Sequence, residues 1–322
     1  MVSQIKNPYG EGQSADQIVQ ILKKTWTLPL SVFRKSFTKE SKILLLGGEG
    51  YIGSHLFQRL NNYGFSKVFS ASRSAKNPGS FRVNVENSPD FDQIRNAKFD
   101  VVINLTGQIT RPIESCLAQN TVGIQHLVSA CADSTVLIQL SSVGVYGSGE
   151  FAEENSPCNP ETPYSTLKLV AERLIMNGLP DDRRLILRLS NIYGSTQPKG
   201  IFAYLKRAAG SDRVLDFNND GSLLRFFLHV EDLCQAIVQV LANYDKIKDP
   251  ILNIIGKDKF NIHQLIDLFE EKFKVKYRRN FEPVKPYDNM CSISDDRLRK
   301  LTNFEEMFTL ESYVHELVNY AH

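Results

Sequence analysis

A chain of 322 residues, 42% hydrophobic and 23% charged, is long enough for one large domain or two unequal ones sharing a cleft. A formal net charge of only +2 argues against nucleic acid as a partner, which would call for a strongly basic face. The five cysteines (Cys116, Cys131, Cys158, Cys234 and Cys291) form no CxxC or Cys/His spacing, so neither a disulfide framework nor a metal site is expected. No apolar run approaches membrane-spanning length and the N-terminus lacks the apolar core of a signal peptide, so the expectation is a soluble, cytoplasmic protein with no membrane partner.

Residues 1–40 read as an N-terminal extension. Within it, "NPYGEGQSADQIVQIL" (7–22) places a glycine-rich turn before a helical pattern, with no strand ahead of it. The stretch resembles the tail motif of UDP-N-acetylglucosamine 2-epimerases, a different fold whose parent domain is absent here. A loop without its scaffold cannot position a substrate, so a docking helix or fusion remnant without chemistry is expected.

From residue 42 short apolar segments alternate with amphipathic ones: "KILLLG", "KVFSAS", "DVVINLTG", "VLIQLSS" and "LILRLS". Rich in Val, Ile and Leu without clean alternation, they read as strands buried on both faces. Helical patterns such as "SHLFQRLNNYG", which stops at a glycine, and "NTVGIQHLVSACA" lie between them. The predicted fold is α/β: a Rossmann-type doubly wound parallel sheet over 41–195, with return segments near 226–256. Residues 196–322 are expected to form mainly a smaller substrate-binding lid. There, "KFKVKYRR" (272–279) alternates basic and apolar residues and predicts a half-buried strand, its basic side in water or facing an anion.

Three features carry chemistry. Gly47, Gly50 and Gly53 follow a strand and open a helix, the setting in which main-chain N–H groups, including those of Tyr51 and Ile52, face a pyrophosphate. The second strand ends "VFSASRS", with Ser72 where NAD sites commonly carry an acid for the ribose 2′-hydroxyl, and Arg73 next to it. A missing carboxylate and a guanidinium able to pair with a 2′-phosphate favour NADP(H), with NAD(H) as the alternative. Finally, Tyr164 and Lys168 stand four apart on a predicted helix and share one face. A phenol with a pKa of about 10 is a poor base near neutrality, and a neighbouring ammonium would lower it. Ser142, at the end of "VLIQLSS", can hydrogen-bond a reacting oxygen while hydride moves to or from a nicotinamide.

In this order, the fingerprint, Ser142, Tyr164 and Lys168 resemble the extended short-chain dehydrogenase/reductases, the NAD(P)-dependent epimerase/dehydratase family that modifies nucleotide sugars. The likeness covers roughly residues 42–318 and extends to "NLTG", Asn120 in "QNTVGIQHL", "SSVGVYG", "RLSNIYGS" (188–195) and "DGSLLRFFLHVEDL" (220–233). It implies that Leu105, Thr106 and Asn120 line the cofactor along with Tyr164 and Lys168. It also implies that Asn191 and Arg225 hold the diphosphate or base of a nucleotide-sugar substrate, and that the protein pairs as a homodimer through the helices carrying Asn120 and Tyr164. A salt bridge tying lid to core is the bland alternative for Arg225, and packing is the expected role of His229. Leu46 stands where relatives usually have Thr. Val143 and Gly144 stand where sugar-nucleotide 4,6-dehydratases have Asp-Glu, which disfavours elimination. A 4-keto-6-deoxysugar reductase is the leading expectation because of Arg73. A 4-epimerase is the alternative, and a non-catalytic NADP(H) sensor is the remote one.

Overall fold

Strands that carry apolar residues on both faces must be covered on both, and the first strand shows how. In the computed structural model, which describes residues 36–107, 111–131 and 133–319, β1 (Lys42–Leu46) sends Ile43 and Leu45 into one core and Leu44 and Leu46 into the other. All four are shut off from water, which is why no alternation is visible in the sequence. The motif at 7–22 lies outside the described residues.

Helix α1 (Tyr51–Tyr63) follows and ends where expected, at Gly64, whose φ of 101° lets its N–H turn back to the carbonyls of Asn61 and Leu60. The chain continues through β2 (Lys67–Ser72), β3 (Phe81–Arg82), α2 (Asp92–Ala97), β4 (Val101–Asn104), α3 (Ile113–Asn120), α4 (Val122–Ala130), β5 (Val136–Ser142), α5 (Pro163–Gly178) and β6 (Arg184–Leu189). Asn120 therefore closes α3 rather than opening the next helix, because Thr121 (φ −121°, ψ −87°) breaks the pattern there. Beyond β6 come β7 (Asn191–Tyr193), α6 (Ile201–Ala209), β8 (Val214–Phe217), β9 (Arg225–His229), α7 (Val230–Ala242), β10 (Ile251–Ile254), β11 (Asp258–Phe260), α8 (Ile262–Phe273), β12 (Arg278–Phe281), α9 (Asp296–Thr302) and α10 (Leu310–Asn319).

Seven parallel strands form the main sheet in the order β10-β6-β5-β4-β1-β2-β3. One face packs Leu56 and Leu60 of α1 with Leu233 and Ile237 of α7; the other packs Ile94, Ile124, Leu127, Ala171 and Ile175. Each of these Leu and Ile side chains contributes on the order of 1.5–3 kcal/mol by leaving water. The chain winds outward from β1 to β3 and then returns to β4 on the other side of β1. Their carboxyl ends diverge there, at the switch point where doubly wound sheets open a crevice for ligands.

Around that crevice lie a three-stranded sheet (β11-β9-β7) and the pair β12-β8. Their core gathers Tyr193, Phe202, Phe227, Phe269 and Tyr313. The strand expected over 272–279 is corrected: α8 runs to Phe273, Lys274 caps it in the left-handed region, and β12 begins only at Arg278. Within the basic run Lys272 pairs with Glu271 and Glu311, Lys276 with Glu270, and Arg279 with Asp267 and Glu270. No helix among the described residues is long and apolar enough to cross a membrane.

One polar group is buried where α5 meets the sheet. Arg188 of β6 donates from Nη2 to Glu172 Oε2 at 2.7 Å and from Nε to both carboxylate oxygens, with the two side chains 3% and 0% exposed. Ser141 Oγ also donates to Glu172, and the guanidinium sits 4.8 Å above the Tyr146 ring. Removing one partner leaves the other charge buried alone. Arg188→Met is therefore expected to lower unfolding free energy in urea by about 3–5 kcal/mol, and a loss under about 1 kcal/mol would contradict this assignment.

Candidate active site

The glycine loop closes on itself more tightly than a side chain would permit. A Cβ on Gly53 would lie 2.4 Å from Gly47 O and 2.6 Å from Gly48 Cα, and one on Gly48 would meet Ser70 Cβ at 2.7 Å. Gly47 adopts φ +90° and donates its N–H to Ala71 O, tying the loop to the end of β2. The loop presses on Leu105 and Thr106, 3.3 Å from where a Gly47 Cβ would be. Gly50 caps α1, leaving the N–H groups of Tyr51, Ile52 and Gly53 without intrahelical acceptors. This cradle, with a helix N-terminus behind it, fits a dinucleotide pyrophosphate. The Tyr51 side chain turns away: its hydroxyl lies by Gly194 and its ring meets His55 edge-on at 5.4 Å. Asn120 is buried, donating to Cys116 O and Gly107 O, and its Oδ1 has no donor among the described residues.

The premise that no carboxylate stands at the end of β2 is corrected. Glu49, the one charged residue of the glycine loop, swings over so that its Oε2 accepts from Ser72 Oγ at 2.6 Å and Ser74 Oγ at 3.0 Å. Its Oε1 accepts from the Asn77 N–H at 3.0 Å. These donors, Ser72 first, hold the carboxyl's pKa down to about 2. Arg73 is exposed and makes no ion pair among the described residues.

On the other side of the crevice β5 ends at Ser142, whose Oγ accepts from the Gly144 N–H at 3.2 Å. Helix α5 starts with Thr162 as its cap, accepting from the Ser165 N–H, and Pro163 in its first turn, so Tyr164 emerges at the helix mouth. Lys168 lies one turn deeper, fully buried, donating from Nζ to Leu140 O at 2.7 Å. Ser142, Tyr164, Ile52, Asn191 and Arg225 line one cleft of about 680 Å³. A Cβ at position 144 would lie 2.4 Å from Ser165 Oγ, so a side chain there would require Ser165 to move.

Electrostatics differ from expectation in one respect. Burial pushes the Tyr164 phenol above its usual range, with Cys116 adding to the rise, and Lys168 does not offset it. Burial also lowers the Lys168 ammonium to about 8, against an opposing pull from Glu172 one turn on. The phenol therefore holds its proton at neutral pH in the free protein. Arg225 donates to Asn191 Oδ1 at 3.0 Å and has no salt bridge among the described residues; burial lowers its pKa, with Asp288 only partly opposing. A desolvated, unpaired guanidinium in a cleft wall suits an anion. His229 stacks on Phe308 at 4.1 Å and caps α7 through Nδ1, a packing arrangement.

Two participants had no motif to reveal them. Asp288, at φ +55°, accepts from Thr162 Oγ1 and Ser165 Oγ, each at 2.7 Å, and so bridges the lid to the start of α5. The Glu172–Arg188 pair lies beneath Ser141. No group of three His, Cys, Asp or Glu residues suited to a metal occurs among the described residues.

Comparison with known proteins now bears on this geometry. The model of the NAD dependent epimerase/dehydratase family matches residues 43–256. UDP-glucose 4-epimerase of Azospirillum brasilense is 25% identical over 301 residues, covering 80% of this chain and 85% of that protein. dTDP-6-deoxy-L-talose 4-dehydrogenase (NAD(P)(+)) of Kitasatospora kifunensis is 28% identical over 258 residues, covering 73% and 80%. The fold is shared with UDP-glucuronic acid 4-epimerase of Bacillus cereus, solved with NAD, at a TM-score of 0.75 and 24% identity over 87% of this chain and 96% of that one.

Lys168 provides a pH test. Below about pH 8 both folded and unfolded chains hold its proton, so the native state bears the whole cost of a buried cation. Between about 8 and the model-peptide 10.5 the unfolded chain binds the proton that the native state has lost, so stability rises with pH. Relative to Lys168→Met, the parent should gain on the order of 2–3 kcal/mol across this window in denaturant titrations; a pH-independent difference would contradict the burial.

Proposed function

This chain belongs to the NAD-dependent epimerase/dehydratase family, and from that premise we propose that it is an enzyme moving hydride to and from C4 of a nucleotide-linked sugar. The observation that carries the reading is the single cleft wall formed by Ser142 and Tyr164, with Lys168 buried one helical turn below Tyr164 and Arg225 lining the same cleft. Ser142 and Tyr164 present two side-chain oxygens to one sugar oxygen: Tyr164 as phenolate would take the C4 hydroxyl proton as hydride leaves C4 and would give it back when hydride returns, while Ser142 hydrogen-bonds the same atom. Lys168 positions the cofactor side of the site and supplies positive charge when Tyr164 gives up its proton.

The glycines at 47, 50 and 53, with the N–H groups of Tyr51 and Ile52, would hold a pyrophosphate, while Leu105, Thr106 and Asn120 would border the rest of the dinucleotide. A nicotinamide, when bound, supplies the hydride acceptor or donor. Arg225 and Asn191 would take the substrate diphosphate. The adjoining pocket of about 370 Å³, lined by Phe202, Phe217 and Phe227, would take the base. Exposed Ile113 and Leu117 on α3 and Val122 on α4 support a homodimer.

Elimination is not proposed, since neither Val143 nor Gly144 carries a group that can transfer a proton. Of the two remaining outcomes, 4-epimerisation is the first reading. The argument for a reductase rested on Arg73, which is exposed, while its neighbour Ser72 is bonded to the carboxylate of Glu49. Reduction of a 4-keto-6-deoxysugar by NADPH is the second reading, supported by Arg73 and by the likeness to dTDP-6-deoxy-L-talose 4-dehydrogenase (NAD(P)(+)). With UDP-hexoses and dTDP-4-keto-6-deoxysugars as substrates, and products followed by NMR, Tyr164→Phe should lower turnover by at least about a hundredfold while its melting temperature stays within about 2 °C. Unchanged turnover would remove Tyr164 from the chemistry, and no turnover by the parent on any of these sugars would favour a sensing role.

A further inference from the structure

We propose that Glu49, a residue of the glycine loop and not of β2, selects the cofactor by accepting a hydrogen bond from the adenosine 2′-hydroxyl of NAD(H) and repelling the 2′-phosphate of NADP(H). The inference rests on reading the glycine loop as a dinucleotide site. In such sites an acid at the end of the second strand usually serves this purpose. Here Ser72 occupies that place, and its hydroxyl is 2.6 Å from Glu49 Oε2, so the carboxylate stands within one hydrogen-bond length of the position.

Its hydrogen bonding leaves room for a ligand. A carboxylate offers about four acceptor sites. Ser72 and Ser74 occupy two on Oε2 and the Asn77 N–H one on Oε1, and the Lys76 N–H also acts on the carboxylate, so a ribose hydroxyl would share Oε1 with main-chain donors. All of these donors are neutral, and no cation pairs with Glu49 among the described residues, so its negative charge is oriented and stabilised but not cancelled. Ser72 in turn accepts from the Ala75 N–H at 2.8 Å, which fixes the hydroxyl that orients the carboxylate. A phosphate brought to this place would meet an ionised acid before it met Arg73, whose side chain is out in solvent. The β1–β2 register, Leu46 opposite Ala71, brings a loop residue from position 49 and a strand end from position 72 together.

The test is binding, not turnover. Calorimetric titration of the full chain, freed of any co-purified nucleotide, with NAD⁺ and NADP⁺ should show NAD⁺ bound at least about tenfold more tightly. Glu49→Gln, which keeps the shape but not the charge, should bring the ratio to about unity or below it, and Arg73→Ala should leave the parent's preference in place. Glu49→Asp, which retains the charge, should still reject NADP⁺, so a folding defect in one variant does not decide the matter. A parent that binds NADP⁺ as well as NAD⁺, that binds neither, or whose ratio is unmoved by Glu49→Gln would overturn the proposal. A protein that prefers NAD⁺ through Glu49 yet leaves sugar C4 untouched would refute the proposed function and not this inference; one that works at C4 with NADPH would do the reverse.

Discussion

Helix α5 carries both Tyr164 and Lys168, and it is fastened to the sheet by one ion pair that water does not reach. Glu172 meets Arg188 of β6 and accepts from Ser141 of β5, next to Ser142. That contact sets the height at which Tyr164 stands beside Ser142 and keeps Lys168 beneath the sheet's carboxyl edge, on Leu140 O. The same carboxylate is the main influence raising the Lys168 pKa against burial. Position and charge at the site thus share one group, and the stability of the fold and the electrostatics of the site are coupled through it.

A second fastening acts at the helix mouth. Asp288, from the lid, accepts from Thr162 and Ser165, the residues flanking Pro163 and Tyr164. Ser165 also crowds Gly144, so the turn after Ser142 and the first turn of α5 are packed against each other. The cleft has two sides with different chemistry: a rigid glycine loop with main-chain donors, and a wall of hydroxyls over a buried cation.

Much of this was legible in the chain. Buried parallel strands declare themselves by unbroken Val, Ile and Leu, and the stop of α1 by Gly64, because both are local consequences of burial and backbone geometry. The order glycines, Ser142, Tyr164, Lys168 is legible for the same reason: strand ends and a four-residue helical spacing fix where those side chains can point. What escaped depends on contacts between distant segments. Position 49 reaches 72 only through the register of β1 on β2, position 288 reaches 162 only through the lid, and 172 reaches 188 only through the packing of α5. Lys168 was expected to lower the Tyr164 pKa, but spacing alone does not show how deeply both are buried. The basic run at 272–277 misled because alternation over a few residues is shared by a strand and by a helix end followed by a turn.

The central claim is hydride movement at C4, and its most direct test is isotopic. A UDP-hexose deuterated at C4 would be incubated with the purified protein and both sugars followed by NMR in ordinary water. The account predicts deuterium retained at C4 in substrate and in its C4 epimer, without wash-out to solvent and without net cofactor consumption. Loss of hydrogen from C5 to solvent, or C4 inversion with deuterium exchanged into water, would contradict hydride transfer at C4.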